Sequence, residues 1–249
     1  MGSLLKGSAF LTGAGSGIGR ATALSFAKYG VTRFSLADCD SSSLAATSKL
    51  LKGSHPAIQV LEHPLDVRDG GKVQAAIVKT ATEFGRIDVA VNVAGITLNI
   101  PTHDFKTEEW RRVLGVNLDG LWFCQREEIR QILKFLKSLR MLPPTHQKGS
   151  ASTPSVPGLS FPALLLRLYR LVYIIGPFIN PSRSWTATPL VKRAQAEQPD
   201  GFKASAGKAP MGRMAEPEEI ADVIVFLGSR MASFVCGAVV AVDGGYSAV

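Results

Sequence analysis

The stretch TGAGSGIG (residues 12–19) stands between a short apolar run and a helical pattern, and it decides the fold. Residues 7–11 are predicted to form a β-strand. A helix with small and apolar residues on one side follows the stretch and ends at Gly30. Glycines in such a strand-to-helix turn let phosphate oxygens reach the backbone N–H groups at the helix start. The sequence therefore predicts a phosphate-binding turn, with a purely structural turn as the alternative.

Three of the glycines have the spacing and the roles expected for a dinucleotide site. Gly13 allows the tight turn, Gly17 lets a pyrophosphate approach the backbone, and Gly19 lets the helix pack close to the strand. Asp38 ends the second predicted strand, 19 residues after Gly19. A carboxylate there accepts hydrogen bonds from the ribose hydroxyls and repels a 2′-phosphate, which favours NAD over NADP. The alternative is that Asp38 caps the next helix.

Strand and helix patterns alternate along most of the chain. Further strands are predicted at 31–37, 58–61, 87–93 and 238–242, and helices at 41–51, 69–84, 108–137 and from Pro217 onward. The helix at 41–51 is predicted to begin on a serine cap. This alternation predicts an α/β fold, a doubly wound parallel sheet with helices on both faces. We expect a single domain covering residues 1–249, in which residues 141–183 are irregular.

The chain has 249 residues and a net charge of +8, but its basic residues are unevenly placed. Residues 129–196 contain ten Lys and Arg and no Asp or Glu, so the remainder carries a net charge of −2. Aromatic residues do not alternate with these basic ones, and zinc-finger spacing is absent, which argues against nucleic acid. Residues 141–189 also hold eight of the 14 prolines.

Targeting and metal signals are weak in this sequence. Cys39, Cys124 and Cys236 are far apart and odd in number, which favours buried thiols in a reducing compartment, and a cytoplasmic location, over disulfide bridges or a metal site. The four histidines lack zinc-site spacing, so no metal is expected. The most apolar stretch, residues 161–179, contains Arg167 and Arg170, so we expect no membrane span.

Several motifs together resemble the classical short-chain dehydrogenase/reductase family. They are the glycine turn, Leu65-Asp66-Val67, Asn92-Val93-Ala94-Gly95, Val116-Asn117, Pro210-Met211-Gly212-Arg213, Pro217-Glu218-Glu219-Ile220-Ala221, Phe226-Leu227-Gly228-Ser229 and Val242-Asp243-Gly244-Gly245. The resemblance covers roughly residues 6–130 and 184–249. It implies a Rossmann-like sheet of about seven strands, a homodimer or homotetramer, and hydride transfer between a nicotinamide and an alcohol or ketone.

The resemblance also implies site residues. Those expected to hold the cofactor are Gly13, Ser16, Ile18, Gly19, Asp38, Asp66 (at the adenine ring), Asn92, Gly95 and Thr188. Those expected to serve the chemistry are Asn117, Ser155 and Tyr169. Relatives of this type often serve fungal secondary-metabolite pathways and act on polycyclic or polyketide-like substrates.

The sequence departs from the family at the central catalytic pair. The family uses a Tyr as proton donor or acceptor and a Lys four residues later, which lowers the pKa of that Tyr from about 10. None of the four tyrosines here has such a Lys. Ser155 is the best match to the family serine, Tyr169 follows it by 14 residues, and Tyr173 stands at the Lys position. About a helix and a strand are missing before Thr188.

Three interpretations stay open at this point. Residues from 141 to about 182 are an out-of-frame or mis-spliced stretch, which translation in all three frames would test. Alternatively, Tyr169 works without Lys, although only about one Tyr in a thousand is ionised at pH 7 when its pKa is about 10. Alternatively, the chain is an impaired cofactor-binding pseudo-enzyme or an interaction protein.

The predicted helix at 108–137 carries a cluster of charges. Glu127, Glu128, Arg130 and Lys134 are predicted to form a solvated face with spaced ion pairs. In the family that the chain resembles, this helix also meets the partner subunit.

Overall fold

The structure is a computed structural model that describes residues 3–98, 102–140, 170–173, 186–197 and 209–248. Its strands are β1 (Ser8–Thr12), β2 (Arg33–Asp38), β3 (Gln59–Pro64), β4 (Val89–Asn92) and β5 (Arg170–Tyr173). Its α-helices are α1 (Gly17–Lys28), α2 (Ser41–Ser54), α3 (Gly70–Phe84), α4 (Thr107–Leu114), α5 (Leu121–Arg140), α6 (Pro189–Glu197) and α7 (Pro217–Gly228).

The strands form one parallel sheet in the order β3-β2-β1-β4-β5. From β1 the chain moves outward through β2 to β3, and it then returns to place β4 on the other side of β1. Such a reversal opens a crevice at the carboxyl ends of the two central strands, where α/β proteins bind ligands. Thr12 and Asn92, the last residues of β1 and β4, are paired at that edge.

Both faces of the sheet are covered, as the near-continuous apolar strands predict. On one face, Leu11 and Val91 pack with Phe26 of α1 and Ile224 of α7. On the other face, Phe10 packs with apolar residues of α3 and with Cys124 of α5. The doubly wound arrangement predicted from the sequence is therefore confirmed.

Aspartates rather than serines start two of these helices. Asp40 accepts hydrogen bonds from Ser42 N and Ser43 N at 3.0 and 3.1 Å, so the prediction of a serine cap on α2 was wrong. Asp69 caps α3 in the same way. A carboxylate suits these positions because it satisfies free N–H groups and complements the helix dipole.

The long helix predicted at 108–137 is interrupted. Residues Gly115–Gly120 form a π-helical turn between α4 and α5, and Asn117 lies in the middle of it. Single π turns of this kind often mark functional positions, because they widen the helix and change the direction of side chains.

One prediction about the sheet needs correction. Residues 238–242 are not a strand, and Val239 is 96% exposed there. A strand needs a neighbour, and no described residue pairs with this segment. Among the described residues the sheet has five strands, and the count of about seven stays a prediction.

The segment predicted to be irregular, 141–183, contains β5. Residues Arg170–Tyr173 pair with β4 in parallel register, so this part of the segment is regular. An apolar run between basic residues can still fill the next strand position, because the sheet supplies a partner.

The prediction that Glu127 and Glu128 lie on a solvated face of α5 was wrong, whereas a spaced ion pair is present between Glu127 and Arg130. Glu127 and Glu128 are each only 1% exposed. Glu127 Oε1 is 2.8 Å from Arg126 Nε and 2.7 Å from Arg130 Nη1, and Glu128 contacts Asn92. Charge spacing along a helix does not show which of its residues are buried, and here both glutamates are.

Among the described residues, no helix has the length and apolar character needed to cross a bilayer.

Candidate active site

The centre of the candidate site is the contact between the loops that follow β1 and β4. A Cβ placed on Gly13 would lie 2.8 Å from Ala94 N, so only glycine lets these two backbones approach so closely. The φ angle of Gly13 is also +65°, a conformation that favours glycine. The loop after β4 therefore restricts residue 13 to glycine, and the local requirements of the turn alone do not explain this restriction.

The start of α1 faces this crevice. The first intrahelical hydrogen bond runs from Arg20 N to Ser16 O at 3.1 Å, so the N–H groups before Arg20 have no partner within the helix. Ser16 is exposed at the N-cap and its side chain makes no capping bond. Helix N-termini of this kind attract phosphate groups through free N–H groups and the helix dipole.

Gly19 lets α1 lie directly against the turn. A Cβ at this position would stand 2.0 Å from Gly13 O, a distance that no structure tolerates without movement of the backbone. The predicted role of Gly19 in close packing therefore has a geometric basis.

Asp38 joins the end of β2 to the glycine turn. Its Oδ2 accepts a hydrogen bond from Gly15 N at 2.8 Å, and its Oδ1 accepts one from Asp40 N at 3.0 Å. Arg20 holds the other side of the same turn through a hydrogen bond to Gly15 O. Each carboxylate oxygen keeps a second lone pair, so Asp38 can still accept from a ribose hydroxyl.

Asp66 lies in the loop after β3 and is tied to the end of β2. The chain beside it is fixed by a hydrogen bond from Leu65 N to Asp38 O at 2.9 Å. The carboxylate of Asp66 accepts from Arg68 N and Arg68 Nε, both at 2.9 Å. The hydrogen bond from Arg68 lowers the pKa of Asp66, so this half-buried group stays ionised near neutral pH.

Thr188 closes the crevice from the carboxyl-terminal part of the chain. A Cβ on Gly17 would lie 2.9 Å from Thr188 Cγ2, so the threonine methyl group covers the glycine turn directly. The Thr188 hydroxyl also accepts from Val191 N at 3.3 Å at the start of α6. The structure thus brings together two predicted cofactor residues that are far apart in the sequence.

The backbone after β4 is held from two sides. Thr12 Oγ1 accepts from Val93 N at 3.2 Å and from Ala94 N at 3.3 Å. Asn117 Oδ1 accepts from Ile96 N, and Asn117 Nδ2 donates to Ile96 O, both at 2.9 Å. Gly95 lies between these two attachments, exposed to the crevice.

The side chain of Asn92 points into the protein. Its Nδ2 donates to Glu128 Oε1 at 3.0 Å and to Oε2 at 3.1 Å, while its Oδ1 accepts from Thr12 Oγ1 at 3.3 Å. All three side chains are buried. The amide of Asn92 is therefore engaged at both ends.

The arrangement fits a dinucleotide. The unpaired N–H groups of α1, the glycine surface and the carboxylates of Asp38 and Asp66 lie along one edge of the sheet. A side chain at Gly13, Gly15 or Gly17 would fill the cradle or meet its walls.

Comparison with known proteins gives a consistent result. The family model for short chain dehydrogenases matches residues 8–137, which is more than half of the chain. The chain belongs to the short-chain dehydrogenase family. A second model, described as enoyl-(acyl carrier protein) reductase, matches residues 180–247 of this short-chain dehydrogenase. The two matches leave out residues 138–179, the stretch in which the sequence pattern departs from the family.

The short-chain dehydrogenase also has similar relatives over nearly its full length. It is 35% identical to the cis-4-hydroxycyclohexanecarboxylate dehydrogenase of Sinomonas cyclohexanicum, with 97% of this chain and 96% of that one covered. It is 33% identical to the levodione reductase of Leifsonia aquatica, covering 96% and 93%. It is 29% identical to the short-chain dehydrogenase fogB of Aspergillus ruber, covering 97% of each. These similarities identify the chain as an oxidoreductase.

Solved structures agree with this assignment. A levodione reductase structure matches with a TM-score of 0.74 at 29% identity, covering 97% of both chains. A short chain dehydrogenase from Mycobacterium paratuberculosis bound to NAD matches with a TM-score of 0.73 at 20% identity, covering 100% of both, which supports the fold.

Two predicted catalytic residues of this short-chain dehydrogenase, Ser155 and Tyr169, lie outside the described residues. The register of β5 is described only for residues 170–173. Arg170 pairs with Val89, at the sheet edge opposite the crevice, while Tyr173 pairs with Asn92 at the crevice edge. Asn117 is the predicted catalytic residue that the structure places beside the crevice.

Sequence reasoning missed three residues that shape the site, namely Thr12, Arg20 and Glu128. Thr12 belongs to the quoted glycine stretch, but its role depends on the loop after β4. Arg20 and Glu128 act on groups distant in sequence, so no local pattern indicates them.

Proposed function

We propose that this protein transfers a hydride between a nicotinamide dinucleotide and an alcohol or ketone. The observation that carries the proposal is the α1 N-terminus, framed by Asp38 and Thr188 at the crevice between β1 and β4. When bound, the nicotinamide supplies the hydride acceptor or donor. In the oxidative direction the alcohol loses a hydride to the oxidised nicotinamide and a proton to the protein or solvent, which leaves the ketone.

The residues of this chain would bind and orient the cofactor. The free N–H groups around Ser16, Ile18 and Gly19 are suited to the pyrophosphate. Asp66 is suited to the adenine, and Thr188 to the nicotinamide end. Asn92 and Gly95 would contribute through the backbone of their loop, because the Asn92 side chain is already engaged.

We infer a preference for NAD over NADP from the position of Asp38. A 2′-phosphate would meet a carboxylate already anchored by Gly15 N and Asp40 N, and repulsion would oppose its binding. Arg20 lies at the turn, but its guanidinium already donates to Gly15 O, Thr47 Oγ1 and Ser43 O.

For the substrate we propose a cyclic or polyketide-like alcohol or ketone, as in secondary metabolism. The name of the relative from Sinomonas cyclohexanicum, a hydroxycyclohexanecarboxylate dehydrogenase, supports a cyclic secondary alcohol. Asn117 would serve the chemistry by fixing Ile96 beside the crevice, and Ser155 and Tyr169 remain the proposed oxygen-binding and proton-transfer groups.

We also propose that residues 1–249 act as one domain, in the cytoplasm, as a homodimer or homotetramer. Cys39, Cys124 and Cys236 are all free thiols, which supports a reducing compartment. Only Cys124 is buried, so the prediction of buried thiols was wrong for Cys39 and Cys236. Exposed Leu118, Trp122 and Ile129 on the π turn and α5 support a subunit contact.

A turnover assay tests the proposed function. The purified chain is incubated with NAD and a panel of cyclic secondary alcohols, and with NADH and the matching ketones, while nicotinamide absorbance is followed. We expect turnover with at least one cyclic substrate. Binding of coenzyme without turnover on the whole panel would contradict the activity and leave a pseudo-enzyme.

A further inference from the structure

A buried chain of hydrogen bonds runs from α5 to the cofactor crevice. It begins at Glu128, passes through the Asn92 amide, and ends at Thr12, whose hydroxyl oxygen accepts from Val93 N and Ala94 N. Glu128 is 1% exposed, and its carboxyl group contacts the side chain of Asn92. Nothing in the family resemblance assigns this glutamate a role.

The hydrogen-bonding capacity of Thr12 is fully used in this arrangement. A hydroxyl offers one donor and two acceptor positions. Thr12 donates to Asn92 Oδ1 and accepts from Val93 N and Ala94 N. This set of contacts requires that the oxygen of the Asn92 amide, and not its NH₂ group, faces Thr12.

Glu128 determines that orientation. Its two carboxyl oxygens lie 3.0 and 3.1 Å from Asn92 Nδ2. Above pH 7 the ionised form predominates, and both oxygens can then only accept hydrogen bonds. A reversed amide would place Asn92 Oδ1 against the carboxylate and its NH₂ group against Thr12, where it would compete with Val93 and Ala94. Buried polar groups left unpaired in this way are costly.

The orientation of the Asn92 amide also affects the glycine turn. Ala94, held by Thr12, is the residue that Gly13 touches, so the position of the 93–95 backbone sets the wall of the crevice. We propose that Glu128 is a positioning residue for the cofactor site, which acts through Asn92 and Thr12 on the backbone of Val93 and Ala94. This inference rests on the proposed function, because it assigns Glu128 to the same site.

Glu127 provides a matched control for this role. It is adjacent on α5 and equally buried, but it pairs with Arg126 and Arg130 and makes no contact with Asn92 in the described chain. Replacement of either glutamate by Met removes a buried carboxylate and keeps the side-chain length. A purely structural role predicts similar effects of both replacements on coenzyme binding.

The test measures the dissociation constant for NADH together with the melting temperature, at pH 8, where the Glu128 carboxyl is mostly ionised. We expect Glu128→Met to weaken NADH binding about tenfold, as for the loss of a hydrogen bond to a charged group. Glu127→Met should stay within about twofold of the parent protein, whatever its melting temperature. Equal weakening by both variants, or no weakening by Glu128→Met, would overturn the proposal.

A reciprocal exchange keeps the test decisive if Glu128→Met does not fold. Asn92→Asp alone places the new carboxyl group against that of Glu128, and we expect weaker NADH binding. The isosteric double variant Asn92→Asp with Glu128→Gln restores an amide–carboxyl pair and keeps an acceptor for Thr12, so we expect binding to recover. Failure to recover would refute the positioning role. A parent chain that binds no NADH would instead refute the proposed function.

Discussion

Asp38 Oδ2 accepts a hydrogen bond from Gly15 N at 2.8 Å, so the group proposed to select the coenzyme is also part of the turn that binds its phosphates. A variant that removes the charge must therefore keep the acceptor, or it will disturb the turn as well. The amide of Asn meets this condition, because its oxygen can still accept from Gly15 N.

The first prediction concerns coenzyme preference. We expect Asp38→Asn to lower the ratio of NAD affinity to NADP affinity about tenfold, because the repulsion of the 2′-phosphate and a charge-assisted ribose bond are lost. Fluorescence titration with both reduced coenzymes measures the ratio. Asp40→Asn is the control, because Asp40 only caps α2 and Asn is an equally good cap. The same ratio in parent and Asp38→Asn would argue against the assignment.

The second prediction concerns the packing of α1. We expect Gly19→Ala to abolish coenzyme binding and to lower the free energy of unfolding by about 2 kcal/mol, because its Cβ would stand 2.0 Å from Gly13 O. Gly53→Ala is the control in α2, since nothing lies within 4 Å of its Cβ, and helix propensity predicts a gain of about 0.5 kcal/mol. Urea denaturation compares the two, and a neutral Gly19→Ala would contradict the model of the turn.

The third prediction concerns acid stability and His63. Burial lowers the pKa of His63 to about 4, and its ring contacts Ser35 Oγ at 2.8 Å. The unfolded chain takes up a proton below pH 6.5 while the folded protein does not, so stability falls as the pH drops from 6.5 to 4. We expect this group to contribute about 3 kcal/mol over that window.

Denaturation of His63→Gln at several pH values tests this contribution. The variant should be less sensitive to acid than the parent protein over the same window. His55→Gln, at an exposed position, should keep the parental pH dependence. An unchanged acid sensitivity in His63→Gln would show that other groups cause it.

The fourth prediction has the opposite sign and concerns Glu128. Burial raises its pKa from 4.5 to about 7, so the folded protein keeps a proton that the unfolded chain has released. Stability from this group is greatest below pH 4.5 and is lost as the pH rises through 7. We expect Glu128→Gln to gain about 3 kcal/mol relative to the parent between pH 5 and pH 8. A constant difference between the two proteins across that range would refute the prediction.

The sequence predicts the first half of the fold well, because local signals and the final structure agree there. The glycine stretch, the carboxylate after β2 and the apolar β4 run place the crevice between β1 and β4 as observed. The starts of α2, α3, α4 and α7 are predicted to within a residue, whereas the separate start of α5 and the whole of α6 are not predicted. The cap of α2 is Asp40 instead of the predicted serine, which leaves the start of the helix unchanged.

Long-range partnership explains what the sequence does not predict. Residues 238–242 have strand composition, but a strand also needs a neighbour, and local pattern carries no information about that. Charge spacing along α5 predicts that Glu128 is solvated. Glu128 is buried instead, and its hydrogen-bond partner Asn92 lies 36 residues earlier in the sequence, on β4. Tertiary contacts of this kind determine which segments join the sheet and which buried hydrogen bonds support the site.

Coenzyme titration tests the central claim most directly, that the start of α1 binds the diphosphate of a nicotinamide dinucleotide. The melting temperature and tryptophan fluorescence of the purified chain are measured with NADH and NADPH up to millimolar concentrations. We predict saturable stabilisation by NADH at lower concentration than by NADPH. Well-folded protein that responds to neither coenzyme would contradict the claim.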